Sequence, residues 1–241
     1  MLHKRHIPET DRKTFIAFIS NSLSFSGVFV NHVQIRKELS KPLNERHPWV
    51  QAQMLSIDMV WKWVMQRRLI QCSEFMKWFI NLNSSVMSLP CSINKSTDTF
   101  NKLKLGRFRD SLPGGNETSK MPFEEIPEKM NSIFSVLEKL DHEKDDSIMS
   151  NRVHFSAASD LAKAAWKVQF QIGYMCPFFQ GNWASGRLLT NALRCHWSLP
   201  WVTFTYEDDD EKDETGKAYQ EESHAWFKLF DEKGILTEDF V

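Results

Sequence analysis

Apolar positions recur along this chain with the helical period. Ile57, Val60, Trp61, Val64 and Met65 fall at i, i+3, i+4, i+7 and i+8, which is one helix face. Ile126, Met130, Ile133, Phe134, Leu137 and Leu140 repeat the pattern, and Pro127 suits a first turn. Leu161, Ala164, Ala165, Val168, Ile172 and Met175 form a third stripe, and Leu188, Leu189, Ala192, Leu193, His196 and Trp197 a fourth. Stripes of this width face a core, so the pattern predicts packed helices and not cofactor boxes. A last helix is expected over Lys217 to Phe230, anchored by Tyr219, Trp226, Phe227 and Phe230 and ended by Gly234. Strand signals are confined to Leu105–Ser111, ahead of the turn-forming Pro113-Gly114-Gly115, and to Trp201–Tyr206. Leu112–Lys120 and Asp141–Ser150 read as polar loops. His47-Pro48-Trp49 reads as the start of a helix.

Composition narrows the class. The chain has 241 residues, 41% apolar and 25% charged, which is ordinary globular usage and excludes wholesale disorder. Lys and Arg (30) balance Asp and Glu (31), so nothing global attracts nucleic acid or an anionic membrane. Cys72, Cys91, Cys176 and Cys195 form no C-x-x-C pair, which argues against a zinc knuckle or a disulfide framework and for a reducing compartment. No apolar run approaches a membrane span of about 18 residues, and the first residues lack a secretory core. The expectation is a soluble, cytoplasmic or otherwise intracellular protein with no nucleic-acid or membrane partner. Glu207–Glu214 (EDDDEKDE) would suit a cation or a basic partner, but it lacks the glycine and spacing of a calcium loop and reads as a solvated loop.

The densest segment is Met175–Trp197, M-C-P-F-F-Q-G-N-W-A-S-G-R-L-L-T-N-A-L-R-C-H-W. A helix ends near Tyr174, a short loop follows, and a second helix starts with Asn182 as a plausible N-cap. The start of such a helix offers backbone N–H groups and partial positive charge to an anion. Arg187 lies one turn further on and within reach of the same anion.

That segment resembles the signature of the Fic (Fido) family, H-P-F-x-[D/E]-G-N-G-R-x-x-R, with Pro177, Phe178, Gly181, Asn182 and Arg187 matching without gaps. Arg187-Leu188-Leu189-Thr190-Asn191 and Leu199-Pro200-Trp201-Val202-Thr203 resemble the stretches that follow the signature. Ser156–Ala162 sits where the family has the helix before it. Gly106-Arg107-Phe108-Arg109 resembles the start of the family's flap, a hairpin that lines up the target segment. Pro122-Phe123-Glu124-Glu125-Ile126-Pro127 resembles the start of the next helix. Ser20–Ser26 aligns with the family's inhibitory motif and places Ser24 where that motif has its Glu. The likeness covers about residues 18–205 and implies an all-α Fic-type helical bundle with a small β-hairpin flap. It implies three parts: an N-terminal extension over 1–17, the core over 18–205, and an acidic loop plus a C-terminal helix over 206–241.

The resemblance also implies a chemistry, AMP transfer from ATP, with Mg, to Ser, Thr or Tyr hydroxyls of a target protein. Gly181, Asn182 and Arg187 would hold the phosphates. The reacting groups depart from the pattern. Cys176 stands where the family has its general-base His, and a thiol beside a triphosphate meets like-charge repulsion once ionised. Gln180 replaces the metal-holding Asp or Glu and brings no charge. Trp183 and Ala184 replace a Gly-Arg pair, which removes a bidentate phosphate partner. His154 and His196 are the remaining candidates for a base. The reading is a catalytically impaired pseudoenzyme that binds a protein partner, with a homodimer possible. The alternative is a slow or altered nucleotidyl or phosphoryl transferase working from the Gly181-Asn182-Arg187 cradle.

Overall fold

Where the period is helical, the chain is helical. The structure, a computed structural model, describes residues 9–24, 30–93, 105–111, 121–149, 155–203, 221 and 224–231. Among them the helices are α1 (Glu9–Ser24), α2 (His32–Ser40), α3 (Pro48–Val64), α4 (Cys72–Ile93), α5 (Ile126–Met149), α6 (Phe155–Met175) and α7 (Asn182–His196), followed by a short α8 over 224–231. No strand occurs among the described residues. No helix there is long and apolar enough to cross a membrane.

The ends of the helices follow from local chemistry. Asn31 and Gln34 form a reciprocal capping box on α2, both bonds 2.9 Å long. Pro48 occupies the first position of α3, where its missing N–H costs nothing. The sequence stripes missed α4, although Phe75, Phe79, Leu82 and Val86 are spaced along one buried face. They also misread Asp141–Ser150, because α5 continues through Met149. Asp141 is 2% exposed and belongs to the interior. A buried carboxylate needs partners, and it has three. Ile70 N–H donates to it at 2.8 Å, His196 Nε2 lies 2.8 Å away, and Trp197 Nε1–H donates at 2.9 Å.

α7 is the central helix. It packs against α6 along its length and touches α3 and α4, while α4 also packs against α3 and α5. Phe79, Phe134, Phe170 and Phe178 fill the space between these helices. α8 closes one side of α6, where Trp226 stacks on Phe170, Phe227 and Phe230 meet the Tyr174 ring, and the Tyr174 hydroxyl donates to Asp231 at 2.8 Å. Trp226, Phe227 and Phe230 are thus the anchors the sequence suggested, whereas Tyr219 and Gly234 lie outside the described residues.

The two strand expectations are not met among the described residues. Leu105–Ser111 runs as turns and bends, and 201–203 has no regular structure. The reason at Val202 is visible. Its N–H donates to Asn191 Oδ1 at 2.8 Å and its carbonyl accepts from Asn191 Nδ2 at 3.0 Å, so one side-chain amide substitutes for a neighbouring strand. Residues 112–120 and 204–206 lie outside the described residues.

Asp141 generates a prediction. Burial pushes its pKa up, but the bonds from His196, Ile70 and Trp197 together outweigh burial and hold it below the ordinary 3.8. A depressed folded pKa stabilises the fold above the unfolded value, and that stability is lost as pH falls through the folded pKa. Asp141→Asn should therefore cost about 1–3 kcal/mol at pH 7 and progressively less as pH is lowered below the ordinary 3.8 towards the folded pKa, as read by urea unfolding over that range.

Candidate functional site

The loop from Cys176 to Gly181 joins the end of α6 to the start of α7. Cys176 turns the chain with φ +45°, a left-handed conformation that non-glycine residues rarely adopt. Its N–H still donates to Ile172 O at 2.9 Å, and its thiol, 1% exposed, donates to Gly173 O at 3.1 Å. Phe178 then drives into the core between Phe79 and Phe108, at centroid distances of 5.2 and 5.7 Å.

Asn182 closes the loop. Phe178 N–H donates to its Oδ1 at 2.7 Å, and its Nδ2 donates to Phe178 O at 2.9 Å. The amide is completely buried. Asn182 is therefore the first residue of α7 and not its cap. Gly181 caps the helix with φ +78° and no side-chain bond. The left-handed φ favours glycine, and a Cβ there would lie 2.7 Å from Met87 Sδ and push that side chain aside.

α4 forms the wall that sequence reasoning did not find. Asn83 Nδ2 donates to Gln180 O and to Ser185 Oγ, both at 3.0 Å. Asn83 is 2% exposed. A lone Asn on the buried face of an apolar helix was the available signal, and it would have pointed to a polar loop packed against it.

Trp183, at the family's glycine position, leans back onto α6. A Cβ on Gly173 would sit 2.5 to 2.7 Å from its indole carbons, and its ring lies 5.8 Å from that of Phe227. Ala184 is buried. The α7 ladder begins with Ser185 N–H to Gly181 O at 2.9 Å, which leaves the N–H groups of Trp183 and Ala184 outside it.

Arg187 is 1% exposed and turns towards α1. Its Nη2 donates to the carbonyl and to the hydroxyl of Ser22, at 3.1 Å each. Ser22 lies in the last turn of α1, where carbonyls lack helical partners and cations are favoured. Ser24 ends α1, and its side chain lies outside the described residues.

Segment 105–111, where the resemblance leads one to expect a flap, meets the loop from the other side. Gly106 adopts φ +76° and Arg107 pairs with Asp110 at 3.2 Å on the surface, while Phe108 packs on Phe178. Arg109 is buried, and its guanidinium donates to carbonyls at the end of α6.

Of the remaining candidates, His196 is not brought to the loop. His196 ends α7, about 20 Å along the helix from Gly181 at 1.5 Å per residue, and is engaged with Asp141. His154 lies outside the described residues. Among the described residues no group of three His, Cys, Asp or Glu side chains is placed to hold a metal ion.

No protein-family model matches the sequence, and no curated protein matches it either. Solved structures do match by shape. A Fic domain containing signalling protein from Bacteroides thetaiotaomicron superposes with a TM-score of 0.60 at 15% identity, over 95% of this chain and 76% of that one. The solved portion of Fic-1 from C. elegans (residues 134–508) superposes with a TM-score of 0.58 at 15% identity, over 93% of this chain and 61% of that one. The fold is the all-α Fic fold.

The contact between Trp183 and α6 can be tested by coupling. Gly173→Ala should cost about 1–3 kcal/mol, the usual range for overpacking. Combined with Trp183→Ala, most of that loss should disappear, giving a coupling energy of at least about 1 kcal/mol in a double-mutant cycle. Additive losses in urea unfolding would mean the indole does not occupy that space.

Proposed function

We propose that this chain carries a Fic-type fold as a partner-binding module with impaired catalysis. One observation carries the reading: Arg187, the arginine that the resemblance assigns to phosphates, spends Nη2 on Ser22 of α1. Two other members of the cradle are similarly engaged. The Asn182 amide is taken up by the Phe178 peptide, and Gly181 is overlaid by Met87.

The residues at the loop do not suit ATP with magnesium in the manner the resemblance implies. Gln180 offers a neutral carbonyl where a hard dication favours carboxylate. Ala184 offers no charge to a phosphate, and Cys176 holds its thiol against Gly173 O instead of presenting it to a hydroxyl. No transfer step is assigned to this site. What stays open to a partner is the outer side, where Phe123 is exposed, Phe108 is half-buried and Arg107 and Asp110 form a surface pair. A protein segment laid along 105–111 would meet these groups first. A weak transferase is the competing reading, and it draws on the unladdered N–H groups of Trp183 and Ala184.

Calorimetric titration with ATP, with and without magnesium, separates the two. The expected result is no saturable heat. Arg187→Ala should instead lower the unfolding free energy by about 1.5–3 kcal/mol through the lost charged hydrogen bonds. Saturable ATP binding that Arg187→Ala abolishes, or ATP-dependent modification of any protein, would overturn the proposal in favour of the transferase.

A further inference from the structure

Arg109 is 4% exposed, and a guanidinium does not shed its charge to enter an interior. Burial lowers its pKa, and the nearby Cys176 and Glu124 oppose that shift. Its donors are spread over several stretches of chain. Nε–H donates to Cys176 O at 2.7 Å, and Nη1 donates to Ser111 O at 3.0 Å. Nη2 donates to Met121 O at 2.6 Å and to Met175 O at 3.3 Å. The backbone N–H of the same residue donates to Pro177 O at 2.8 Å.

Three of these five bonds cross from 105–111 to Met175, Cys176 and Pro177. The Met175 and Cys176 carbonyls lie at the C-terminus of α6, where carbonyls carry partial negative charge and lack helical donors, and Pro177 O follows in the loop. The middle one lands on the peptide of Cys176, whose φ is +45°. A left-handed non-glycine residue persists only where its surroundings over-determine it. Those surroundings include the Arg109 Nε–H on the carbonyl, the Ile172 carbonyl on the N–H, and the Gly173 carbonyl on the thiol. The first of these comes from another segment of the chain.

We propose that Arg109 is a positioning residue that couples segment 105–111 to the 176–181 loop, so that drawing the segment aside releases the left-handed turn and uncovers the Cys176 thiol. The agent that would draw it aside is the protein partner of the preceding reading. The coupling itself does not depend on that reading.

The test is iodoacetamide alkylation of the native chain, quantified at each cysteine by mass spectrometry. Arg109→Gln should raise the Cys176 rate about tenfold or more, with Cys72 and Cys195 changing less than about twofold. Arg109→Lys keeps the charge but not the planar fork, and should show the same selective rise at smaller size. A general loss of stability would raise all three rates in parallel, and that result overturns the proposal, as does an unchanged Cys176 rate. Native hydrogen exchange on the unaltered chain needs no folded variant. The Arg109 and Phe178 amides should share one opening, with opening constants within about threefold. Opening at Arg109 more than about tenfold easier than at Phe178 overturns the coupling. Neither measurement uses nucleotide or partner, so ATP binding would sink the module reading and leave this one standing.

Discussion

The structure depends on a polar helix buried at its centre. Asn182, Ser185, Arg187, Thr190, Asn191 and Arg194 of α7 are each at least nine-tenths buried. A buried polar group without a partner costs about 1–3 kcal/mol, and a charged one more. Each of the six has a partner, and the partners lie in different places. Asn182 bonds the Phe178 peptide, Ser185 accepts from Asn83 of α4, and Arg187 bonds Ser22 of α1. Thr190 donates to Ala165 O of α6, Asn191 holds Val202, and Arg194 donates to Pro200 O. One helix thereby sets the positions of three other helices, its own preceding loop and the chain that follows it.

That requirement bears on the site. Side chains that satisfy the interior are withheld from a ligand, and the Asn182 amide and Nη2 of Arg187 are of this kind. The loop before α7 is held from three sides: by Asn182 from within, by Asn83 from α4 and by Arg109 from 105–111. A loop fixed in this way presents a shaped surface more readily than a mobile reactive group. Under the proposed partner-binding reading, such a loop would supply preorganised contacts.

Much of this was legible in the chain. The stripes at Ile57–Met65, Ile126–Leu140, Leu161–Met175 and Leu188–Trp197 lie on helices, apart from Met65 and Trp197, which directly follow theirs, because burying an apolar face is a local demand that the 3.6-residue period records directly. The helix start at 181–182 was legible, but the cap was expected at Asn182 and is Gly181. The helical reach of Asp141 and the pairing of Asn191 with Val202 were not, because polarity suggests exposure until a distant partner is known. The wall formed by Asn83 and Met87 was hidden for the same reason: its contacts span about a hundred residues of sequence.

Sequence by itself determined the class of fold, the two helices that meet at Cys176–Gly181, and the residue types that stand in that loop. Those are properties of residue type and spacing, and they need no third dimension. Tertiary structure alone decided where the remaining groups point. Arg187 looks towards α1, Trp183 lies back on Gly173, and the Cys176 thiol faces Gly173 O. The reason is that a side chain's direction is settled by whichever neighbour satisfies it best in a dense interior, and those neighbours come from anywhere in the chain.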